Sequence, residues 1–544
     1  MNKKKIVYLS DFFIDHILGG GELNDDELTK LLIKDGFKVN KIQSHVVSND
    51  LLEHCSDSFF IISNFVNLSP ACKKYICNNL QYIIYEHDHK YVSNRNPALY
   101  KDFKVPNSDI INYFFYKGAQ AILCQSSFHK TILQNNLDLD NVVNLSGNLW
   151  SLDTLENIRK FSKSDKSDVC SIMESSIKHK NTIGAIRYAE AKNLKYELIK
   201  SPNYSAFLHK LSKNKGFVFL PKTPETLSRV LVEARMLGCK VITNNLTGAS
   251  QEDWFSLKGE KMIDYMIKKR GQILELVVDM CNKKHKKKTK PLVSIITTFH
   301  KGEEYLEHFM SNITSQTFFD NCELVIVDAK SPGNEKKIID GYLEKFDNIV
   351  YHRIEQKLKP TPCINEAIKL SSGECLTFAF IDDVKKPDCI QKLYKHLKSN
   401  SDISLVYGDV VETSVPNQNF KECEDKSKIF EHSSFDFSPE NMVKCLPGPM
   451  PLWYRDVHNH CGFFDDAECN YADDWDMWLR MVSYGYKFKK LDEKIGLYLV
   501  GGRSQENDNI EQKKEEAKIF FKYSNVFGSN FHNYSSYFGQ LLRI

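Results

Sequence analysis

The sequence predicts an α/β protein in which two Rossmann-like, doubly wound domains are followed by a third α/β domain. Three observations predict it. Short apolar runs recur along the chain, each followed by a segment with helical apolar spacing, the pattern of parallel strands covered by helices. The pattern starts again after the polar stretch 160–166, and once more after the basic run 282–290. A length of 544 residues also exceeds what one core serves, since domains hold roughly 100–200 residues. The expected boundaries are 1–150, 151–281, a linker at 282–290, and 291–544.

Element by element, residues 5–9 read as a buried strand and Gly19, Gly20 and Gly21 as a loop that can approach a phosphate. Residues 22–34 form an amphipathic helix closed by Gly36, and 37–42 the next strand, completing a βαβ unit. Further strands fall at 82–85 and 121–124. In the second domain, strands at 169–173, 195–199, 216–220 and 240–243 alternate with helices near 181–192, 204–212 and 225–237. The third begins with a strand at 292–297, a helix through 304–315 and a strand at 323–327. From residue 403 onward the pattern is less regular and rich in aromatic residues.

Composition narrows the class. Lys and Arg number 73 against 70 Asp and Glu, a net charge of +3, so no large basic field points to nucleic acid. Hydrophobic residues at 42% and charged residues at 26% exclude disordered, collagen-like and coiled-coil chains. No apolar run approaches the roughly 18 residues of a membrane span. Lys3, Lys4 and Lys5 precede a short apolar run, but Asp11 and Asp15 cut it too short for a secretory signal, which makes a cytoplasmic protein the expectation. The 15 Cys include no CxxC pair, so reduced core thiols are expected. His87 with His89, and His458 and His460 with Cys461, lack a second ligand pair at zinc spacing. The basic run reads first as a solvated tether. Its alternative is a patch making peripheral contact with anionic lipid at the inner face of a membrane.

Three acidic features lie where strands or helices should end or begin. Asp328 closes the apolar run 324–327, where a carboxylate can accept hydrogen bonds from a nucleoside, or simply sit in a loop. Asp382 and Asp383 follow the apolar run 376–381. Adjacent carboxylates there repel each other and suit a hard cation such as Mg²⁺ or Mn²⁺, or else form an acidic turn. Asp473 and Asp474 precede Trp475, Trp478 and Leu479. The aromatic face reads as core, and the acids as helix caps or as a general base near a hydroxyl.

Taken in order, the segments 292–300 and 325–331, the triplet Ser372-Gly373-Glu374, the pair Asp382-Asp383 and the run Asp473-Asp474-Trp475-Asp476 resemble family 2 glycosyltransferases, which have the type A fold. The resemblance spans roughly residues 291–505. It implies that Thr297, Phe299 and Asp328 hold the base and ribose of a nucleotide sugar. Asp382 and Asp383 would hold Mg²⁺ or Mn²⁺ on its diphosphate. Asp474, with Asp473 beside it, would deprotonate the acceptor hydroxyl in an inverting displacement, and the aromatic region after 403 would build acceptor-binding surface. Phe380 stands where the family usually has an acid or Asn, which implies fewer protein oxygens on the metal. Ala329 replaces a frequent second acid.

The N-terminal half resembles, more loosely, the type B glycosyltransferases of family 4. Their two Glu separated by seven residues appear as Glu225 and Glu233, expected on one side of a helix. Gly20 and Gly21 match the early glycine loop, and Lys178 or Lys180 a phosphate contact, although the basic position expected before the lysine is absent from 171–178. The resemblance implies Glu225 facing a donor sugar, Glu233 a ribose, no metal, and retention of configuration. Glu86-His87-Asp88-His89 reads as a catalytic or acceptor feature, or as a hydrogen-bonded strand end.

The leading expectation is a two-module glycosyltransferase using nucleotide-sugar donors and a glycan, polysaccharide or lipid-linked acceptor. One alternative leaves the C-terminal module alone active with an inert N-terminal half. Another is a carbohydrate- or nucleotide-binding protein without turnover. No nucleic-acid partner is expected.

Overall fold

The computed structural model describes residues 5–283, 290–423, 428–501 and 510–543. The basic run expected as a linker therefore lies, for 284–289, outside the described residues. The chain divides into two compact units, Met1–Val105 with Ile110–Lys286, and Pro106–Asp109 with Lys287–Ile544.

The first unit contains two wholly parallel sheets. Six strands, β1 (Lys5–Ser10), β2 (Lys38–Gln43), β3 (Phe59–Ile62), β4 (Gln81–Tyr85), β5 (Ile122–Cys124) and β6 (Val142–Asn144), pair in the order β2-β1-β3-β4-β5-β6. Four more, β7 (Ser167–Met173), β8 (Tyr196–Ile199), β9 (Asn214–Phe219) and β10 (Lys240–Thr243), pair in the order β10-β9-β7-β8. β1, β3 and β4 are buried on both faces. That is why they read as continuous apolar runs rather than as alternating ones. In each sheet the chain reverses its direction of travel beside the first strand, between β1 and β3 and between β7 and β9. Such a switch point leaves a crevice at the carboxyl ends of the strands.

The helix Glu260–Asn282 joins the two lobes. Its Met262, Ile263 and Met266 lie in the core of the second sheet, whereas Ile273, Val277 and Cys281 lie in the core of the first. Burying Ile273 and Val277 contributes about 1.5–3 kcal/mol each, and Arg270 pairs with Glu27 between them. The sequence reading identified no helix here and assigned residues 260–281 to the second domain.

The second unit is built on one mixed sheet. Its strands are β11 (Val293–Phe299), β12 (Cys322–Asp328), β13 (Ile349–Arg353), β14 (Cys375–Phe378), β15 (Val384–Lys385), β16 (Leu405–Thr413), β17 (Leu452–Tyr454) and β18 (Phe488–Leu499). The order is β13-β12-β11-β14-β17-β16-β18-β15. β11 to β14 are parallel, and β17 turns the sheet antiparallel against β14. Residues after 403 thus supply three strands of the sheet itself. Two terminal helices follow, Ile510–Lys522 and Asn530–Leu541, whose Phe520 and Phe538 rings stack at 4.3 Å.

Gly373 of the Ser372-Gly373-Glu374 triplet has a structural role here. A Cβ on Gly373 would stand 2.6 Å from the Ser294 backbone nitrogen. The Gly373 and Ser372 amides and the Ser294 hydroxyl all donate to the Glu323 carboxylate. The motif locks the start of β14 onto β11 and β12. Among the described residues no helix is long and apolar enough to cross a membrane.

Candidate active site

The strand order of the second unit places the ends of β11, β12 and β14 together, with Phe299 and Asp328 in register. Asp328 is fully buried, so its charge needs partners. It accepts hydrogen bonds from the Ser331 amide (2.7 Å), the Tyr351 hydroxyl (2.8 Å) and Arg353 Nη1 (2.7 Å). Burial, then the hydrogen bond to Asp328, pushes the Tyr351 phenol up to about 12. Tyr351 and Arg353, both on β13, are partners that sequence reasoning missed. Thr297 is buried, and its hydroxyl has no hydrogen-bond partner among the described residues. Phe299 packs into the main core of this unit, which leaves its ring little surface for a ligand.

β14 ends at Phe378, so the strand expected at 376–381 is shorter and Asp382 and Asp383 fall in the turn that follows. The Asp383 amide donates to the Phe380 carbonyl (3.2 Å), which turns the chain, and Asp383 Oδ1 accepts from the Leu499 amide (3.3 Å). Burial, then the neighbouring Asp382 charge, raises the Asp383 carboxyl well above its ordinary range. Such a pair of hard oxygen donors, its proton affinity raised by like charge, fits a divalent cation. Phe380 stacks on Phe378 at 5.5 Å and offers no oxygen. Lys385 is buried one strand-turn away, its ammonium lowered by burial, with Nζ 3.5 Å from the Thr377 hydroxyl.

Asp473 and Asp474 open the helix Asp473–Ser483, whose positive end favours ionised carboxylates. Burial, then the charge of Asp474, pushes Asp473 up to about 7, and its Oδ2 has no partner among the described residues. Asp474 is raised by burial too, but it accepts the Trp475 amide at Oδ1 (2.7 Å) and the Cys445 thiol at Oδ2 (3.4 Å). Trp478 packs on Trp453 at 5.2 Å, and Trp475 Nε1 donates to the Met442 carbonyl (2.8 Å). The aromatic face is core, as the spacing indicated. Asp476 is buried and bonded to Arg480, Lys522 (2.7 Å) and the Tyr523 hydroxyl (3.1 Å).

In the first unit, Gly20 and Gly21 are the first turn of the helix Gly20–Lys34 rather than a loop before it. The absence of side chains lets two groups approach. A Cβ on Gly20 would lie 3.2 Å from Arg229 Cδ, and one on Gly21 3.3 Å from the His87 ring. Glu225 is not on a helix with Glu233, which corrects the sequence reading. The helix is Arg229–Met236, preceded by Ser228 at φ 71°. Glu225 instead lies in a connection bridged to Thr247, its amide bonded to the Leu246 carbonyl (2.8 Å). Lys180 Nζ holds the Glu225 carboxylate at 2.8 and 3.0 Å. Glu233 is buried and accepts from Trp150 Nε1 (3.0 Å) and the Tyr204 hydroxyl. Arg229, four residues before Glu233, was missed although an i,i+4 pair signals it. It stacks on Trp150 at 4.4 Å with Nε 3.7 Å from Glu233.

Glu86, His87 and Asp88 are held by neighbouring side chains, whereas His89 Nε2 is buried with no partner among the described residues. Lys90 bonds Glu86 (2.5 Å) and Asp88 (2.7 Å), and His87 lies between Asp25 (2.7 Å) and Gln125 (2.5 Å). His458 is packing too, bonded to the Gly462 carbonyl (2.8 Å) and Trp453 Nε1 (3.1 Å). Among the described residues, one group of potential metal ligands is Asp465, Cys469 and Asp476, and the cations on Asp476 already neutralise it.

Comparison with known proteins bears on the second unit. Residues 294–451 match the family described as Glycosyl transferase family 2. An uncharacterised glycosyltransferase of Methanocaldococcus jannaschii is 26% identical over 248 residues, covering 43% of this chain and 78% of the relative. A poly(ribitol-phosphate) beta-glucosyltransferase of Bacillus spizizenii is 27% identical over 157 residues, 28% of this chain and a quarter (25%) of that protein. Among solved structures, a mannosyltransferase from Pyrobaculum calidifontis in complex with GDP-Man and Mn2+ aligns with a TM-score of 0.35 at 16% identity, over 45% of this chain and 69% of that one.

Proposed function

We propose that this glycosyltransferase, whose family 2 domain lies in its C-terminal half, transfers a sugar from a nucleotide-sugar donor to a hydroxyl of a glycan or polysaccharide with inversion, using Asp474 as base. The observation that carries the reading is the unequal pair at the helix start. Two carboxylates whose surroundings separate their proton affinities divide acid and base roles between them. Asp473, with an unpartnered oxygen, is the member that keeps a proton near neutrality. Asp474, with an amide and a thiol donating to it, is the member that ionises first.

In the ionised state Asp474 accepts the proton of the attacking hydroxyl, a contribution of about 10²–10⁴-fold. The partly exposed Arg353 and Tyr351 that hold Asp328 would offer hydrogen bonds to a nucleoside beside the end of β12, and the buried Thr297 hydroxyl on β11 is left to find a partner. Asp382 and Asp383 would hold a divalent cation, which when bound neutralises charge on the departing diphosphate. The desolvated helix start keeps competing water from the base.

For the N-terminal half we favour a binding module over a second transferase. Gly20 approaches Arg229, which lies beside Glu233, and Lys180 holds Glu225. Each acid, however, is already engaged: Glu225 by Lys180, and Glu233 by Trp150 and Tyr204. A metal-independent activity lost in Glu225→Ala would overturn that choice. For the C-terminal half the test is Asp474→Asn: transfer should fall at least about 10²-fold with the protein folded, and a fully active variant would refute the assignment.

A further inference from the structure

Glu515 lies on the helix Ile510–Lys522, beyond the residues of the family match and far in sequence from Asp474. Its carboxylate is buried and accepts three consecutive backbone amides, those of Asn470 (2.8 Å), Tyr471 (2.9 Å) and Ala472 (2.8 Å). These residues are the approach to Asp473 and Asp474. Ala472, at the cap position, has no side chain to satisfy the helix start, so the cap is supplied from another helix. At its other end the same helix reaches Asp476 through Lys522 Nζ (2.7 Å), with Tyr523 just beyond it (3.1 Å). The two contacts fall on either side of the acidic pair.

We propose that Glu515 is a positioning residue for transfer, fixing the backbone that aims Asp474 while its own charge faces that base. The proposal rests on the reading of Asp474 as base. Charge-assisted bonds to three amides are stronger than neutral ones, and a displacement of about 1 Å at a reacting group can cost about 10²-fold. The groups facing Asp474 are Asp473 on its own helix, the Cys445 thiol, and Glu515 and Glu516 on the neighbouring helix. Of these, Glu515 alone combines a charge with a grip on the backbone before the pair. Removing its charge lets Asp474 ionise at lower pH.

The test uses the full chain, with UDP- and GDP-sugars as probes and Mn²⁺ present. It compares Glu515→Gln and Glu515→Asp with wild type and with Asp474→Asn. Glu515→Gln keeps the size but loses the charge and one acceptor. It should lower kcat about 10- to 100-fold with donor KM nearly unchanged, and move the acidic limb of the kcat–pH profile downward. Glu515→Asp keeps the charge but is one methylene short, so kcat should fall with the limb in place. A role confined to stability would lower the melting temperature without moving the limb. Wild-type kcat and profile in a folded Glu515→Gln would overturn the proposal, and should that variant not fold, wild-type kcat in Glu515→Asp would do so. Full activity in Asp474→Asn would instead refute the base assignment, whatever Glu515 does.

Discussion

Replacing Asp473 with Asn removes one of the two carboxylates at the head of the helix Asp473–Ser483. Burial and the adjacent Asp474 raise this carboxyl from 3.8 to about 7. At 1.36 kcal/mol per pH unit, that rise corresponds to about 4 kcal/mol. The sign follows from which form the fold disfavours. Below pH about 4 the group is protonated in both the folded and the unfolded chain, and it costs nothing. As pH rises towards 7 the unfolded chain releases the proton and the folded one holds it, so stability is lost progressively and the full cost is present above about 7. The Thr361 hydroxyl donates to the Asp473 carboxylate; Asn cannot ionise but keeps the shape, including an oxygen able to accept that bond. Asp473→Asn should therefore match wild type near pH 4 and exceed it at pH 8 by up to about 4 kcal/mol. Urea titrations at the two pH values, followed by tryptophan emission, measure this. Three of the five Trp, at positions 453, 475 and 478, lie in the same unit as Asp473. The same variant should retain transfer with the acidic limb in place, because Asp473 still holds its proton when Asp474 ionises. Equal stability at both pH values, or a limb displaced along with loss of transfer, would refute the account of the pair.

Three further outcomes are expected. Thr297→Val removes a buried hydroxyl that has no partner among the described residues; it should leave stability equal or raised by about 1 kcal/mol while raising the KM for the nucleotide sugar, and an unchanged KM would remove Thr297 from the donor site. Gly496→Ala would set a Cβ 2.6 Å from the Val384 carbonyl and 2.5 Å from Met450 Sδ, a clash across the β15–β18 pair beside Asp383. A loss of about 1–3 kcal/mol in thermal or urea unfolding is expected. Glu225→Ala frees Lys180 in the first unit and should leave metal-dependent transfer intact, as measured by diphosphate release with Mn²⁺.

The parallel strands and most helices were legible because continuous apolar runs followed by 3.6-residue spacing admit few other folds. The helix 204–212 was placed to the residue. Phe59–Ile62 and Val142–Asn144 were not read as strands, although the equally short runs at 82–85 and 121–124 were. The helix expected from 225 begins at 229. Nothing in the run Pro224–Ser228 reveals that its backbone is committed to Leu246 and Thr247. In the candidate site, the acids were legible as pairs at element ends. Their partners Cys445, Thr361, Leu499 and Glu515 were not, because each comes from a distant segment. Arg353 likewise ends a strand, and only pairing with β12 brings it to Asp328.

The central claim is that the C-terminal half performs metal-dependent sugar transfer at Asp382, Asp383 and Asp474. The most direct measurement is nucleoside diphosphate release by the full chain from a panel of nucleotide sugars, with Mn²⁺ and with chelator, for wild type and Asp382→Ala. The account predicts release with at least one donor, dependent on the metal and lost in Asp382→Ala. Release that persists in chelator and survives in the variant would contradict it.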